Sequence, residues 1–361
     1  MHRARFFKKA KDKKLHCQAC QRYCLLSNNQ LGFCQTRLNK EGILYSLIYG
    51  VVNGFQADPI EKKPLYHFYP ASQVLSFGSF GCNYRCKQCL NFYCSWGQPA
   101  ADILKNLRLK SDKKEKKDFV SPEKIVRLAV DQGYPGIAFT YNEPSIWPEY
   151  VYDVAKLAKE KGLYTVFVTN GSWTKESLDK LAPVIDSCNI DIKGYFPQTY
   201  QKMAAFFGQV LEVTELVVKK YKIFTELTTL VIPTINDSDK ELEKIAGWIV
   251  NKLGRQIPWH LSRFDPGLAP DKQFQQLPAT PVKTLEKAYQ IGKKAGLDFV
   301  YLWAPPKNRQ EELFAVSNTV CPSCRKLVVK RDGWQLKELS LKKNKDKVSC
   351  QFCGQELNFK I

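Results

Sequence analysis

Residues 74–89 read VLSFGSFGCNYRCKQC, a short apolar run followed by three cysteines in the spacing C-x3-C-x2-C. Ferredoxin-type clusters take one thiolate for each iron, so three thiolates on a tight loop anchor a 4Fe–4S cluster and leave one iron open. An open coordination position is typical of catalytic metal sites, whereas structural sites are closed. Cys82, Cys86 and Cys89 are therefore candidate ligands of a catalytic cluster. A zinc knuckle and three unrelated buried thiols are the alternatives.

This motif opens a region in which strand-like and helix-like stretches alternate as far as about residue 303. Helical segments such as 121–132, which begins Ser-Pro-Glu, separate the strands, and hairpin signals are missing. The alternation indicates an α/β fold with a parallel sheet and outer helices, a partial or full TIM-like barrel. A doubly wound open sheet is the alternative that periodicity leaves open. The predicted strands are 74–80, 136–141, 164–169, 187–192, 224–232, 259–264 and 298–302.

Polar residues follow these predicted strands at their C-terminal ends, where (β/α) barrels carry their active sites. Each has a structural alternative: Glu143 precedes a proline and can cap a helix, Asp191 and Lys193 can form a local ion pair, and a histidine can be satisfied in the core. The regular placement of these groups favours one polar site on the top face. The candidate ligand-binding residues are Asn142, Glu143, Asn170, Asp191, Lys193 and His260.

Cysteine clusters also mark both ends of the chain. The N-terminal set has four thiols within eighteen residues, which suits either a closed zinc site or an iron–sulfur cluster. The C-terminal set is two C-x2-C knuckles around short β-like stretches, the pattern of a zinc ribbon. We therefore predict a Cys-rich metal-binding segment (1–72), a barrel (73–305) and a zinc ribbon (306–361). The two sets are Cys17, Cys20, Cys24 and Cys34, and Cys321, Cys324, Cys350 and Cys353.

Composition narrows the class of protein. The 361 residues contain no apolar run of the length of a membrane span, and the basic N-terminus lacks a secretory apolar stretch. Thirteen cysteines, mostly in metal-like clusters, are typical of a reducing compartment, so we expect a cytoplasmic protein without a membrane partner. The 55 Lys and Arg against 35 Asp and Glu give a net charge of +20. This excess allows a nucleic-acid partner, but the basic runs lack interleaved aromatics, which favours a solvated surface.

The whole chain resembles the radical S-adenosylmethionine (radical SAM) proteins of the AmmeMemoRadiSam system, which are similar to pyruvate formate-lyase activating enzymes. The stretches that carry the resemblance are 39–47, 58–68, 81–89, 141–144, 191–194, 229–233, 258–260 and the terminal cysteine pairs. The resemblance implies that Cys82, Cys86 and Cys89 bind a 4Fe–4S cluster whose open iron chelates SAM. It also implies that the strand-end residues line the SAM pocket.

By the same resemblance, a reduced cluster cleaves SAM to a 5′-deoxyadenosyl radical, which abstracts hydrogen from a substrate that the sequence does not identify. The implied partners are a one-electron reductant such as flavodoxin or ferredoxin, and a protein substrate or a Memo-like or AMMECR-like protein. The alternative functions are activation of a glycyl-radical enzyme, radical modification of RNA, and a non-catalytic metal-binding scaffold.

Overall fold

The computed structural model describes residues 1–109, 119–303 and 317–361. A mostly parallel eight-stranded sheet forms the centre, and helices cover it. The strands are β1 (His2–Arg3), β2 (Phe7–Lys9), β3 (Leu15–Cys17), β4 (Leu25–Leu26), β5 (Arg37–Lys40), β6 (Ile43–Ser46), β7 (Asn53–Pro59), β8 (Gln73–Gly78), β9 (Gly136–Phe139), β10 (Tyr164–Thr169), β11 (Ser187–Asp191), β12 (Phe224–Val231), β13 (Trp259–Arg263), β14 (Val300–Trp303), β15 (Thr319–Val320), β16 (Leu327–Asp332), β17 (Gln335–Leu339), β18 (Leu341–Asn344), β19 (Lys347–Cys350) and β20 (Glu356–Leu357).

The helices lie mainly between the strands of the central sheet. The α-helices are α1 (Phe92–Ser95), α2 (Gln98–Leu109), α3 (Pro122–Asp131), α4 (Pro148–Glu160), α5 (Lys175–Leu181), α6 (Pro197–Lys202), α7 (Val210–Lys219), α8 (Asp239–Trp248), α9 (Lys272–Gln275) and α10 (Val282–Lys294). A π-helical turn, Ile249–Leu253, extends α8. Single 3-10 turns lie at Ile60–Lys62, Pro144–Ile146, Ala182–Val184 and Pro266–Leu268. Within the described ranges, no helix has the length and apolar character needed to cross a membrane.

The strand order of the central sheet follows the chain from β7 to β14. Strand β7 pairs antiparallel with β8, and every later neighbour pairs in parallel. A doubly wound sheet reverses its strand order at a switch point, so the sequential order excludes that alternative. The fold is a partial TIM-like barrel, because no ladder joins β14 to β7 in the part of the chain that the structure describes. The seven predicted barrel strands are confirmed, 164–169 with identical bounds and the other six with small differences at their ends.

The sheet begins before the predicted barrel boundary at residue 73. Strand β7 lies inside the segment assigned to the N-terminal module, yet it pairs with β8 over the register Asn53↔Gly78 to Pro59↔Gln73. Strand β7 is therefore part of the central sheet. The other predicted boundary, at residues 305 and 306, lies outside the described residues.

Capping and first-turn residues in the sequence mark where helices that cover the sheet begin, as α3 shows. The Ser121 hydroxyl accepts the Lys124 amide (3.3 Å), and Pro122 takes the first turn of α3, where its missing N–H costs nothing. The helices bury their apolar faces against one side of the barrel strands, the side of Phe77, Phe139 and Trp259. Because side chains alternate across a strand, the intervening residues point to the opposite, inner face of the sheet.

The N-terminal module consists of two small antiparallel sheets, β1-β6-β5 and β2-β3-β4. Its main anchor is Arg37, which makes a bidentate ion pair with Glu149 of α4 at 2.8 and 2.9 Å. The Arg5 amide donates to the same carboxylate at 2.8 Å. Both side chains of the pair are at most 1% exposed, so this charge pair lies wholly inside the junction between the module and the barrel.

The C-terminal module packs under the N-terminal ends of the barrel strands. Its sheets β15-β16-β17 and β18-β19-β20 share a core with Phe299 and Tyr301 of the last βα unit. Arg331 donates to the Tyr66 carbonyl at 2.6 Å, and Glu226 of β12 accepts the amides of Tyr66 and His67 at 3.0 and 2.8 Å. The segment around residue 66 thus closes the bottom of the barrel and joins it to the C-terminal module.

His67 makes this junction sensitive to acid. Burial lowers the pKa of His67 to about 3, with Arg331 and His260 acting in the same direction and Glu226 and the Asn358 carbonyl opposing them. The folded protein therefore keeps His67 neutral, while the unfolded chain takes up a proton below about pH 6.5. The contribution of neutral His67 to the free energy of unfolding is therefore fully present above that pH and is lost as the pH falls toward 3.

We expect the free energy of unfolding to drop by roughly 1 kcal/mol per such histidine between pH 7.5 and 5.5. Urea denaturation at the two pH values measures this drop. In the His67→Gln variant the drop should be smaller than in the wild type, whereas His16→Gln, which alters an exposed side chain on β3, should leave it unchanged. Equal drops in all three proteins would contradict the prediction.

Candidate active site

The three cysteines of the central motif lie on the loop that follows β8, which we call the cluster loop (residues 81–91). Cys86 is buried, and Cys82 and Cys89 are partly exposed. Burial raises the pKa of the Cys82 thiol, and its position near Glu143, Cys86 and Cys89 adds to that effect. The Tyr84 amide donates to the Cys82 sulfur at 3.4 Å. The three thiols therefore lie close together on one loop at the C-terminal end of the first parallel strand.

Asn142 holds the start of the cluster loop against the end of β9. Its amide nitrogen donates to the Gly81 carbonyl (3.2 Å), and its amide oxygen accepts the Ser79 amide (2.9 Å). Gly81 has φ +90°, and an added Cβ would meet the Thr36 methyl at 2.4 Å and the Cys34 carbonyl at 2.7 Å. Only glycine fits this position, because the N-terminal module presses directly on the loop.

Asn83, next to Cys82, ties the cluster loop to the loop after β10. Its side-chain oxygen accepts from the Asn170 amide nitrogen at 2.9 Å, and its own amide nitrogen donates to the Ser172 hydroxyl. Arg22 of the N-terminal module donates to the Asn83 carbonyl. The predicted ligand-binding residue Asn170 therefore lies in the second layer of contacts around the thiols. The role of Asn83 itself was not predicted, although it lies inside the motif.

Glu143 is buried at the junction of β9 and β10. Its carboxylate accepts the Thr169 hydroxyl (2.7 Å), the Asn170 amide (2.8 Å) and the Ser145 amide (2.9 Å). Burial raises the pKa of Glu143, and these hydrogen bonds oppose that shift. Because three of its acceptor positions are occupied within the protein, Glu143 fixes the shape of the strand ends next to Cys82.

Lys193 links the fourth strand end to the cluster loop. Its ammonium group pairs with Asp191, and it lies close enough to Cys86 for each to affect the other's protonation. Burial alone would lower the pKa of Lys193, but Asp191 and Cys86 raise it well above its usual range. The predicted local ion pair is present, and it lies beside a cluster thiol.

Three strands carry a row of polar side chains on the inner face of the barrel, and we call Asp191, Thr228 and His260 the polar row. Asp191 pairs in register with Thr228, and Thr228 pairs with His260. Neighbouring strands lie about 5 Å apart, so the three side chains are adjacent. Each has a buried atom (Oδ1, Oγ1 and Nδ1, respectively) that finds no hydrogen-bond partner among the described residues.

His260, unlike the other predicted residues, contacts side chains toward the bottom of the barrel. Its Nε2 bonds Glu226 at 2.7 Å, and its ring packs between Tyr66 and Tyr301. Burial lowers the pKa of His260, although Glu226 opposes the shift, so the ring is neutral near pH 7. With the Nε2 proton donated to Glu226, Nδ1 is left as an acceptor toward the row. Thr228 and Glu226 were missed by sequence reasoning, because nothing in their local sequence marks them.

These observations fit a cluster that needs three thiolates and a polar co-ligand. The three thiols converge on a strand-end loop, a buried cation lies beside one of them, and unpartnered polar atoms line the adjacent inner face. Buried polar groups are normally hydrogen-bonded, so the polar row points to a ligand that completes it.

A family model described as the Radical SAM superfamily matches residues 77–248, from β8 through α8. The chain is also 37% identical over 359 residues to "Uncharacterized protein MJ0808" of Methanocaldococcus jannaschii, with 99% of each chain covered. This chain belongs to the radical SAM superfamily. It is an enzyme of that class, with the 4Fe–4S cluster and SAM that the class implies.

More distant relatives resemble only part of the chain. "Pyruvate formate-lyase-activating enzyme" of Clostridium pasteurianum is 25% identical over 178 residues, which are 47% of this chain and 67% of that protein. A solved structure described as a radical SAM methyltransferase from Sphaerobacter thermophilus aligns with 66% of this chain and 68% of its own, at 15% identity and a TM-score of 0.48.

The C-terminal cysteines form a separate metal-binding group. The sulfurs of Cys321, Cys324, Cys350 and Cys353 all lie within 4.8 Å of one another. The Cys321–Cys353 and Cys324–Cys350 sulfur pairs are each 3.7 Å apart. Four thiols in this arrangement can close the coordination of one metal ion and leave no open position on it.

Proposed function

We propose that this enzyme cleaves SAM reductively at a 4Fe–4S cluster held by Cys82, Cys86 and Cys89, and that the resulting 5′-deoxyadenosyl radical abstracts hydrogen from a substrate. When bound, the cluster supplies one electron to the SAM sulfonium through its open iron. The observation that carries the proposal is the polar row next to the three converging thiols. A flavodoxin or ferredoxin is the proposed source of the electron.

The polar row matches the groups that SAM presents. Asp191 Oδ1 can accept from a ribose hydroxyl or from the ammonium group, and the neutral His260 Nδ1 can accept from a hydroxyl or amino group. Thr228 can both donate and accept. Lys193, already paired with Asp191, provides a positive charge near Cys86 for the SAM carboxylate. Asn142, Glu143 and Asn170 then act mainly by holding the cluster loop and the strand ends, with their backbone groups as the proposed contacts.

The test is anaerobic reconstitution with iron and sulfide, followed by dithionite and SAM, with chromatography for 5′-deoxyadenosine. We expect 5′-deoxyadenosine to form in the wild type. Thr228→Val, which keeps the shape of the side chain and removes its hydroxyl, should weaken SAM binding about five- to tenfold, as measured by equilibrium dialysis. Retention of zinc without iron, and no 5′-deoxyadenosine, would support the scaffold alternative instead.

Activation of a glycyl-radical enzyme is a second candidate, favoured by the resemblance to the Clostridium pasteurianum activating enzyme. A protein substrate would then deliver a backbone glycine to the top face. Electron paramagnetic resonance would show a carbon-centred radical on the partner polypeptide, whereas a small-molecule substrate would leave none. Membership of the AmmeMemoRadiSam group, with a Memo-like or AMMECR-like partner, remains a prediction of the sequence.

Zinc is the proposed ion of the C-terminal site. Zinc binds thiolates at about 2.3 Å in a tetrahedron, which puts sulfurs about 3.8 Å apart. The observed separations of 3.7 Å support that choice. An iron–sulfur cluster would spread the four sulfurs more widely, because each binds a different iron.

Loss of this ion should unfold the C-terminal module. We expect Cys350→Ala to lose about one zinc per chain and to make residues 317–361 sensitive to protease, since such small modules depend on metal for stability. Metal analysis and limited proteolysis measure both effects. Ser323→Ala is the control, because Ser323 lies between two of the cysteines but is exposed, whereas Cys350 is fully buried. This variant should keep the zinc of the C-terminal site. A Cys350→Ala protein that keeps a full zinc content would contradict the assignment.

A further inference from the structure

A second set of four thiols lies beside the cluster loop. Cys17, Cys20, Cys24 and Cys34 come from separate turns of the N-terminal module and line one small cavity, which we call the N-terminal thiol cavity. Arg22, Arg37 and Asn83 also line it. Cys17, Cys20 and Cys34 are buried, and Cys24 is partly exposed. Four thiols around one cavity form a complete ligand set for a metal centre.

The spacing of these sulfurs differs from that of the C-terminal site. There, all four sulfurs lie within 4.8 Å of one another, as one tetrahedral ion requires. No other group of three or more His, Cys, Asp or Glu ligand atoms is as compact in residues 1–109, 119–303 and 317–361. Neither the N-terminal set nor Cys82, Cys86 and Cys89, the proposed ligands of a 4Fe–4S cluster, therefore forms so compact a group. Wider spacing fits a centre in which each thiolate binds a different iron.

Arg37 gives an independent sign of a ligand in this cavity. Two of its nitrogens bind Glu149, but the buried Nε has no acceptor among the described residues. The Arg37 side chain lines the same cavity as Cys17 and Cys34. An iron–sulfur cluster offers negatively charged sulfurs to such a donor, and N–H···S bonds of this kind help set the potential of a cluster.

The N-terminal thiol cavity adjoins the cluster loop directly. Asn83 lines the cavity and immediately follows Cys82 in the chain, and the Cys34 carbonyl contacts the position of Gly81. Arg85, which lies on the cluster loop, donates to the Cys82 and Phe33 carbonyls at 2.7 Å each. Through these two bonds Arg85 links the start of the cluster loop to Phe33, the residue that precedes Cys34. A centre in the cavity would thus be one layer of residues away from the catalytic thiols.

We propose that Cys17, Cys20, Cys24 and Cys34 bind a second 4Fe–4S cluster that passes single electrons to the cluster at Cys82, Cys86 and Cys89. One electron enters from a flavodoxin- or ferredoxin-type carrier, which is oxidised, and moves on to the catalytic cluster. No atom or proton is transferred in this step. The electron-transfer role depends on the proposed function, whereas the binding of the second cluster does not.

The test separates the two sites. The Cys82→Ala/Cys86→Ala/Cys89→Ala protein, reconstituted anaerobically, should retain about four irons and four sulfides per chain, against about eight in the wild type. Dithionite reduction should give it an electron paramagnetic resonance signal of a reduced 4Fe–4S cluster. Adding Cys20→Ala and Cys34→Ala should remove both the iron and the signal. If the triple variant holds no iron, or holds a second zinc beyond the one expected at the C-terminal site in place of iron, the proposal is overturned.

A reciprocal variant checks the electron-transfer role. Cys20→Ala/Cys34→Ala with the other cysteines intact should keep about four irons and still cleave SAM with dithionite, but should lose at least tenfold in rate with the protein carrier. An unchanged carrier-driven rate would overturn the relay. Should this variant fail to fold, as judged by circular dichroism, the metal content of the triple variant still decides the binding claim. If instead Cys82, Cys86 and Cys89 bind no cluster, so that the proposed function fails, the wild type would hold the same amount of iron as the triple variant.

Discussion

Cys86→Ala should abolish formation of 5′-deoxyadenosine. Cys82, Cys86 and Cys89 of the cluster loop are the proposed ligands of the cluster that cleaves SAM, and Cys86 is the most buried of them. Loss of residues that merely orient a ligand costs about 10- to 100-fold, so loss of a ligand should exceed about 100-fold. Chromatography of the SAM reaction and iron analysis of the reconstituted protein measure the effect.

Two other buried cysteines provide matched controls. Cys188 lies on β11 with its side chain toward the helices, and Cys94 lies in α1 with its sulfur on the Asn91 carbonyl at 3.3 Å. Cys188→Ala and Cys94→Ala remove a buried thiol each and should keep both iron and activity. If Cys94→Ala lost iron as Cys86→Ala does, the ligand set would include Cys94. If Cys86→Ala kept full activity, the proposed ligand set would be wrong.

The barrel could be predicted from sequence because its strands are short apolar runs separated by amphipathic helices. Strand β7 was missed for a physical reason. Its residues Asn53–Pro59 are mostly exposed and show no apolar alternation, so only the ladder with β8 makes them a strand. Tertiary pairing of this kind overrides local propensity.

Residues of the candidate site could be predicted where their role depends on spacing along the sequence. They could not be predicted where it depends on how neighbouring strands pair. Motifs in the sequence singled out Cys82, Cys86, Cys89 and Asp191 as candidates. Thr228 was not, because it lies within β12 and joins the polar row only through its pairing with Asp191 and His260. Likewise, the spacing of the first four cysteines could not show that they lie against Asn83 of the cluster loop. Both features come from contacts between distant parts of the chain.

The largest expected change in stability comes from the ion pair between the N-terminal module and the barrel. Glu149→Ala leaves the Arg37 charge buried at 1% exposure without its partner and removes the acceptor of the Arg5 amide. Breaking such a buried pair costs about 3–5 kcal/mol. Denaturation followed by tryptophan fluorescence is a suitable measurement, since Trp147 and Trp173 are fully buried.

The same helix supplies the control. Glu160 at the end of α4 pairs with Lys156 at 4.0 Å, with both side chains more than half exposed. Exposed pairs contribute little, so Glu160→Ala should leave the denaturation midpoint almost unchanged. Removing both charges of the buried pair in Arg37→Met/Glu149→Leu should recover much of the loss, because the cost comes from the unpaired charge rather than from the missing attraction. Equal effects of Glu149→Ala and Glu160→Ala would mean that another negatively charged group compensates Arg37, as the proposed cluster in the N-terminal thiol cavity, which Arg37 also lines, would do.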